Sequence, residues 1–198
     1  NPVYRQKRIG RGARTFTMWK LRTMVPNAQD MLESHLSENE FARAEWNETQ
    51  KLKDDPRITP LGKFLRKSSM DELPQLWNIV IGNMSIVGPR PTVPNTYKNY
   101  SQVAQKKLNT IRPGLTGIGS IVFRDEENFL EGRDDPKEFY RSEIIPYKSD
   151  LEIWYVNNNN LLNYFKCIFI TGWVIVFPKS IIINKLFKGL PSKPINLI

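Results

Sequence analysis

Cysteine and histidine are almost missing from this sequence, which has one of each in 198 residues. The single cysteine, Cys167, excludes disulfide bonds within the chain and fits a reducing, cytoplasmic setting. One cysteine and one histidine also exclude a Cys/His zinc cluster and argue against a Ser-His-Asp triad. No signal peptide is visible and the chain begins with Asn1, so we expect a fragment of a longer protein that lacks an N-terminal anchor.

Acidic residues are missing from both ends of the chain, although the whole sequence contains 20 of them and has a net charge of +9. Residues 1–22 contain seven lysines and arginines, and residues 161–198 contain five lysines. Basic ends fit nucleic acid or an anionic membrane surface. The middle of the chain is mildly acidic, which argues against a continuous nucleic-acid footprint. We therefore expect a membrane partner and no nucleic acid.

Long apolar runs are scarce, and the one that is present lies near the C-terminus. Residues 161–178 are mostly aliphatic and aromatic but include Asn163 and Lys166. A membrane-spanning helix needs about 20 predominantly apolar residues, a length that this run reaches only if both polar residues are counted. We predict that residues 161–187 form an apolar segment lying in the membrane interface, with its lysines at headgroup level. A buried core helix is the alternative.

The remaining pattern predicts a mostly helical α+β fold that forms a single domain over residues 1–198. Two runs of strand-like residues flank a glycine-containing loop, so we expect an N-terminal β-hairpin over 3–9 and 15–21. Further along, we predict a helix over 26–50, a polar helix over 95–109, a short strand over 120–123 and an exposed acidic segment over 125–127.

Two short helices are expected around an adjacent pair of carboxylates. Thr59 can cap the first helix, since a proline at the next position suits a helix start. Ser69 and Glu72 have capping-box spacing, which places Asp71 and Glu72 at the start of a second helix that ends at residue 81. The positive end of a helix keeps carboxylates ionised and attracts phosphate.

This arrangement suits phosphoryl chemistry. Asp71 can act as a nucleophile toward phosphorus, and Asp71 and Glu72 can bind Mg²⁺ together with substrate phosphates. Arg66 and Arg90 can neutralise the charge that develops on those phosphates. Taken singly, the same residues also fit helix capping, a solvated helix face and an ordinary turn. The residue chemistry alone therefore leaves a phosphate-handling enzyme as one of several readings.

Residues 57–91 closely resemble the bacterial sugar transferase family, the monotopic polyprenyl-phosphate phosphoglycosyl transferases. The resemblance is carried by Ser69-Met70-Asp71-Glu72-Leu73-Pro74 and Gly88-Pro89-Arg90-Pro91. It extends over nearly the whole chain, through Tyr4-Arg5-Gln6-Lys7-Arg8-Ile9-Gly10, Trp19-Lys20-Leu21-Arg22-Thr23-Met24 and Arg112-Pro113-Gly114-Leu115-Thr116-Gly117. It implies a ping-pong enzyme at the cytoplasmic face of the bacterial inner membrane. Such an enzyme passes a sugar 1-phosphate from a nucleotide sugar, usually a UDP-sugar, to polyprenyl phosphate, and so initiates a surface glycan.

The resemblance also implies roles for individual residues. Asp71 would be the nucleophile that carries the phospho-sugar. Glu72 would assist it, by binding the family cofactor Mg²⁺ or by positioning a phosphate. The substrate phosphates would be bound by Arg66, Arg90 and Lys20. The nucleotide sugar would be bound in the glycine-rich loop and beyond it, by Arg112, Thr116 and Arg124.

Two features depart from the family pattern. The family normally opens with a re-entrant hydrophobic helix, and none precedes the first hairpin here. Many members continue the glycine-rich loop with Trp-Ala-Gln-Val-Asn-Gly-Arg, whereas residues 118–127 differ, so the identity of the sugar is not carried over. Two other hypotheses stay open at this point. One is a metal-dependent phosphohydrolase with the same nucleophile, and the other is a basic module that binds anionic lipid or nucleic acid without chemistry.

Overall fold

The computed structural model describes residues 1–49, 52–124, 126–130, 132–177, 180, 183 and 186–197. It confirms a mostly helical α+β fold. The strands are β1 (Val3–Ile9), β2 (Thr15–Leu21), β3 (Ser85–Val87) and β4 (Gly114–Thr116). The α-helices of the described residues are α1 (Ala28–Glu38), α2 (Glu40–Thr49), α3 (Pro60–Lys67), α4 (Gln75–Val80), α5 (Pro94–Tyr97), α6 (Gln102–Leu108), α7 (Ile118–Val122), α8 (Pro136–Phe139), α9 (Ile145–Asn157) and α10 (Leu161–Val176).

The N-terminal hairpin is confirmed, and one of its faces packs into the protein. β1 and β2 pair antiparallel over their whole lengths. Side chains alternate along β2, which places Phe16 and Met18 inward against Met84. The same alternation puts Lys20 on that face, and Arg8 shares it because it lies opposite Phe16 across the hairpin. The hairpin therefore presents two basic residues on its inner face.

The helices predicted over 26–50 and 95–109 are each divided in the structure. At Asn39 the backbone is extended, and the side-chain oxygen accepts a hydrogen bond from Ala42 N at 3.0 Å, so that α2 starts anew. Ser101 Oγ accepts from the N of residue 104 at 3.2 Å and caps α6. Both predicted helices were too long, because Asn and Ser side chains compete with the helical backbone for hydrogen bonds. Residue 50 lies outside the described residues.

The strand predicted over 120–123 is wrong, because these residues belong mainly to α7 and the strand lies earlier, as β4. β4 pairs in parallel with β3, and the pairing includes a bond from Gly88 N to Thr116 O at 2.9 Å. A Cβ on Gly114 would overlap the backbone of Gly88, so this close pairing requires glycine. The glycines of residues 112–119, which suggested a loop, instead allow β4 to lie close to β3. The periodicity of residues 112–119 does not show that β3 is the pairing strand.

The helix α10 has a buried face and an exposed face. Cys167, Ile170 and Val174 are buried in the main core, together with residues of α7 and α9. The exposed face carries Phe165, Phe169, Trp173 and Val176. Within the part of the chain that the structure describes, every helix is too short or too polar to cross a membrane. Residues 178, 179, 181, 182, 184 and 185 of the predicted interface segment lie outside that part.

Gly62 on α3 should not tolerate a larger side chain, because a Cβ there would overlap the backbone of Thr23. We expect Gly62→Ala to lower the free energy of unfolding by about 1–3 kcal/mol, the usual cost of overpacking. Gly172→Ala on α10 is the matched control. Outside its own helix, none of the described atoms lies within 4 Å of a Cβ there, and alanine favours a helix by about 1 kcal/mol. Urea denaturation measures both, and a wild-type stability for Gly62→Ala would contradict this packing.

Candidate active site

The adjacent carboxylates Asp71 and Glu72 lie in a 3₁₀ turn, Met70–Glu72, between α3 and α4. We call it the 70–72 turn. The predicted capping box is wrong, because Ser69 has a left-handed backbone (φ 58°) and its side chain accepts no capping bond in the described structure. The N of Glu72 bonds to the O of Ser69 instead. A single turn aligns too few peptide dipoles to act as a helix end, so other charges must hold these carboxylates.

Asn78 joins the start of α4 to the hairpin, and sequence reasoning missed it. Its side chain is fully buried. Its Nδ2 donates to Thr17 O at 2.8 Å, and its Oδ1 accepts from Trp19 N at 3.2 Å. This bridge holds α4, and with it the preceding 70–72 turn, beside Lys20 on β2. Asn78 is the single polar residue among the apolar residues 76–81, and this feature of the sequence could have indicated a buried amide.

Three predicted basic residues surround the carboxylate pair. Lys20 Nζ lies 2.7 Å from Glu72 Oε1 and 3.8 Å from Asp71 Oδ2. Arg90 Nη2 lies 3.6 Å from the same oxygen of Glu72. Arg66 lines the same cleft and acts on Asp71 electrostatically. The structure therefore brings all five predicted catalytic and phosphate-binding residues together.

The environment makes the two carboxylates chemically different. Burial raises the pKa of Asp71, and Lys20 opposes this only in part. Burial acts in the same direction on Glu72, but Lys20 and Arg90 outweigh it and lower the pKa of Glu72. The pKa values of the two neighbouring acids are therefore shifted in opposite directions from their ordinary values, that of Asp71 upward and that of Glu72 downward. Glu72, which has the closer cations, is the more firmly held anion, and Asp71 is the less strongly paired of the two.

Arg90 lies in a turn formed by residues 88–91, which we call the Arg90 turn. Prolines on both sides of Arg90 restrict its backbone. Gly114 N donates to the carbonyl of the preceding proline at 2.9 Å, which joins the turn to β4. Arg8 Nη1 donates to the carbonyl of the following proline at 3.2 Å, which joins it to β1. The position of Arg90 is thus set by two elements, β1 and β4, that are distant from each other in sequence.

Arg8 is a second residue of the cleft that sequence reasoning did not single out. Burial and the neighbouring charge of Arg90 lower the pKa of Arg8 to about 10, so it stays protonated at neutral pH. Its Nε is buried without a hydrogen-bond partner among the described residues. Arg8 belongs to a stretch that resembles the family, but charge alone does not distinguish it from the other basic residues of 1–22.

These side chains line a cleft of about 1080 Å³, and its lining includes a charged set and an apolar set of side chains. We call these sets the charged wall and the apolar wall; Thr116, Arg124, Glu126 and Lys148 also line the cleft. The charged wall contains Arg8, Lys20, Arg66, Asp71, Glu72 and Arg90. The apolar wall contains Leu73, Ile86, Leu115, Ile121, Ile168, Val174 and Ile175. A cleft of this size can hold a ligand as large as a nucleotide sugar. Its two walls suit a ligand, or a pair of ligands, that is phosphorylated at one place and apolar at another.

The three residues predicted to bind a nucleotide sugar are placed differently. Arg124 and Thr116 line the cleft. The hydroxyl of Thr116 also bonds to that of Thr171, with 2.7 Å between the oxygens. Arg112 instead lines a separate shallow pocket of about 410 Å³, together with Arg11. The structure therefore brings two of the three predicted residues to the cleft.

An ion pair that the sequence did not indicate also lines the cleft. Glu126 Oε1 accepts a hydrogen bond from Lys148 Nζ at 3.0 Å, and both side chains are mostly buried. The prediction that residues 125–127 are exposed is therefore wrong for Glu126, because its carboxylate is paired with a lysine of α9. Residue 125 and the side chain of residue 127 lie outside the described parts.

Asp71 and Glu72 are the predicted ligands of Mg²⁺. Within the described residues, no group of three or more His, Cys, Asp and Glu side chains could hold a metal ion. Mg²⁺ is commonly bound by one or two carboxylates, with substrate phosphates and water completing its shell. The pair fits this mode, because both carboxylates face the cleft and Lys20 binds only one oxygen of Glu72.

A cationic cleft around two carboxylates, with apolar side chains beside them, suits phosphorylated ligands. Comparison with known proteins is more specific. The chain belongs to the bacterial sugar transferase family, because the family model matches residues 1–178. The resemblance noted in the sequence is therefore confirmed.

Several characterised relatives are similar over most of this chain. The UDP-galactose-lipid carrier transferase of Erwinia amylovora is 39% identical over 175 residues, which are 88% of this chain and 33% of that protein. The UDP-glucose:undecaprenyl-phosphate glucose-1-phosphate transferase of Escherichia coli K12 is 30% identical over 194 residues, 96% of this chain and 33% of that protein. The exopolysaccharide production protein ExoY of Sinorhizobium fredii is 46% identical over 126 residues, 64% of this chain and 55% of that protein. The chain thus spans about a third to a half of the length of these relatives.

Replacing Asn78 should weaken the bridge between α4 and the hairpin. We expect Asn78→Ala to lower the free energy of unfolding by about 1–3 kcal/mol, because two buried backbone groups of β2 lose their partner. Asn99→Ala, at an exposed position, should change it by less than about 0.5 kcal/mol. Urea denaturation of both variants provides the measurement. Equal effects at the two positions would show that the Asn78 bridge does not support the fold.

Proposed function

We propose that this chain, residues 1–198, is one catalytic domain of a phosphoglycosyl transferase. It transfers a sugar 1-phosphate from a UDP-sugar to polyprenyl phosphate, giving a polyprenyl-diphosphate sugar and UMP, and so initiates a surface glycan. The observation that carries this proposal is the carboxylate pair beside Lys20 and Arg90, in a cleft whose other wall is apolar. Family membership supports it, as do the activities named for the Erwinia and Escherichia relatives.

Asp71 performs the first chemical step. An oxygen of its carboxylate attacks the phosphorus that bears the sugar, and the bond from that phosphorus to the bridging oxygen of the diphosphate breaks. UMP leaves with the electron pair of that bond, and the sugar phosphate stays on Asp71 as an acyl phosphate. Lys20, Arg66 and Arg90 neutralise the charge on the phosphoryl oxygens.

The second step returns Asp71 to its starting state. A phosphate oxygen of the polyprenyl acceptor attacks the same phosphorus, and the bond between phosphorus and Asp71 breaks. The carboxylate leaves with the bonding electrons, and a new diphosphate links lipid and sugar. The apolar wall supports this order of events, since it gives the prenyl chain a place beside the charged wall.

The remaining residues bind the donor and the metal. Asp71 and Glu72 would hold Mg²⁺, with donor phosphates and water completing its shell, and the ion would supply positive charge near the phosphates. Glu72 keeps its place through Lys20. Arg124 and Thr116 bind the nucleotide sugar from the cleft wall. For Arg112, which lines the separate pocket, the geometry supports no such role.

The membrane partner is supported by exposed apolar side chains on three helices. α3, α4 and α10 expose Leu61, Phe64, Leu76, Trp77, Val80, Phe165, Phe169 and Trp173. An exposed apolar surface of this extent marks an interaction site. The basic ends of the chain add attraction to anionic lipids. We place the protein on the cytoplasmic face of the bacterial inner membrane, with segment 161–187 in the interface.

The covalent intermediate can be detected directly by intact-protein mass spectrometry. After incubation with Mg²⁺ and a panel of UDP-sugars, without lipid acceptor, we expect wild-type protein to gain the mass of one sugar phosphate. Asp71→Asn should gain nothing, because it keeps the shape of the side chain but removes the nucleophile. The donor that yields the adduct also names the sugar.

Other outcomes of this experiment favour the alternative functions. UMP release at a near-normal rate by Asp71→Asn would contradict the assignment of the nucleophile. Sustained UMP release over many turnovers, with no lipid-linked product when acceptor is added, would indicate a metal-dependent phosphohydrolase. Steeply salt-dependent binding to DNA without any turnover would indicate a binding module instead.

Removing aromatic residues from α10 should weaken membrane binding. We expect the double variant Phe169→Ser/Trp173→Ser to bind phosphatidylglycerol-containing vesicles at least about a hundredfold more weakly, since each of the two apolar side chains contributes about 1.5–3 kcal/mol when buried. The control is Phe41→Ser on α2, where the side chain is 89% exposed. Sedimentation with vesicles measures both variants. Similar losses for the two would argue against α10 as the membrane-binding face.

A further inference from the structure

Glu152 is a buried acid outside the cleft, and none of the roles above uses it. It lies on α9 and is 2% exposed. Its Oε1 accepts a hydrogen bond from the backbone N of Arg90 at 3.3 Å. Its Oε2 is buried without a hydrogen-bond partner among the described residues. A buried carboxyl group with so few partners costs free energy, so its presence at this place requires a reason.

Glu152 binds the one backbone N–H that residues 89–91 of the Arg90 turn can offer. Both neighbours of Arg90 are prolines, which have no N–H. The amide of Arg90 is therefore the single backbone donor between Pro89 and Pro91, and it is the group that Glu152 binds. At the end of the turn, Arg8 binds the carbonyl of Pro91. Side chains from α9 and β1 thus hold the one turn that carries Arg90.

The packing around Glu152 depends on two glycines. A Cβ on Gly119 of α7 would overlap the carboxyl group of Glu152. A Cβ on Gly117 would overlap the carbonyl of Gly88, at the start of the Arg90 turn. The absence of side chains at both positions lets α7, the Arg90 turn and Glu152 make direct contact.

Glu152 acts on the turn by a hydrogen bond and not by an ion pair. Lys148, one helical turn earlier on α9, is paired with Glu126. Burial raises the pKa of Glu152 to about 7, and the bond from the Arg90 amide, with the more distant charges of Lys148 and Arg90, opposes this only in part. A hydrogen bond to a backbone amide fixes the position of the backbone, whereas an ion pair with the guanidinium would draw it away from the cleft.

We propose that Glu152 is a positioning residue, which binds the Arg90 amide from the core and so directs the Arg90 side chain toward Glu72 and the donor phosphates. The part of this inference that concerns donor phosphates rests on the proposed function, whereas the hold on the turn does not. A purely structural role for Glu152 makes a different prediction. In that case its loss would weaken the whole fold and would not act through Arg90.

The hold on the turn can be measured by hydrogen exchange of the Arg90 amide at fixed pH. Glu152→Met keeps the side-chain volume but removes the acceptor, so exchange should become about fivefold faster or more. Glu152→Gln keeps an acceptor oxygen and should stay within about twofold of wild type. Asp150→Asn, at an exposed position of the same helix, is the control. Unchanged exchange in Glu152→Met would overturn the proposal.

The effect on the site can be measured by a double-mutant cycle on kcat. We expect Glu152→Met to lower kcat about tenfold or more, since small misplacements of a binding group are costly, and Glu152→Gln to restore most of it. In an Arg90→Ala background, Glu152→Met should lower kcat by less than about twofold, because the guanidinium group through which Glu152 acts has been removed. Equal losses in both backgrounds would show that Glu152 does not act through Arg90.

These two measurements separate the inference from the proposed function. If wild-type protein forms no adduct and turns over no UDP-sugar, the proposed function is wrong, while amide exchange still decides whether Glu152 holds the turn. The cycle is then performed on the binding of inorganic phosphate. Loss of phosphate binding in Glu152→Met, but no further loss in the Arg90→Ala background, would support the positioning role. Unchanged phosphate binding in Glu152→Met would overturn it.

Discussion

Two adjacent carboxylates repel each other, and the candidate site depends on the cations that hold them in one half-buried turn. Lys20 is the closest of these, since its ammonium group lies 2.7 Å from Glu72 and 3.8 Å from Asp71. Charges brought together away from bulk water are tolerated only when each has a partner. Around this pair the cations outnumber the carboxylates, so the cleft retains positive charge. A phosphate group would complete the balance.

The scaffold places these charges by polar contacts between elements that are distant in sequence. Asn78 joins α4 to β2, so the turn before α4 meets Lys20. Arg8 and Glu152 bind the two sides of Arg90 through its turn. Each contact satisfies a buried backbone group, and each therefore fixes a position as well as contributing stability. The apolar residues of the core supply the bulk of the packing, while these few polar side chains determine where the charges lie.

Features encoded locally were predictable from the sequence. The hairpin follows from two strand-like runs around glycines, and α3 begins at Thr59 as its cap and proline indicate. The family resemblance located Asp71, Glu72 and the surrounding cations. One failure, that of the capping box, is equally local in origin. The spacing of Ser69 and Glu72 suits a capping box, but the left-handed backbone of Ser69 makes a 3₁₀ turn instead.

Features that depend on distant partners were not predictable from a single sequence. The strand β4 exists because β3 pairs with it, and nothing within residues 112–119 indicates that partner. Arg112 lies two residues before β4, outside the strand, and its side chain lines a different pocket from that of Thr116. The role proposed for Glu152 was not predictable either, since it depends on contact with a turn more than 60 residues away in sequence.

The order of these residues along the chain has a consequence for biosynthesis. The charged site draws on β1 at one end and on α9 near the other, and most of the contacts that complete it join distant parts of the sequence. Contacts of this kind form late in folding, because a long loop must close before they contribute. A chain still on the ribosome therefore lacks one of the contacts to the Arg90 turn, the bond from Glu152, until α9 has emerged. A phosphorylated ligand therefore meets the complete set of charges only after most of the chain, including α9, has been made.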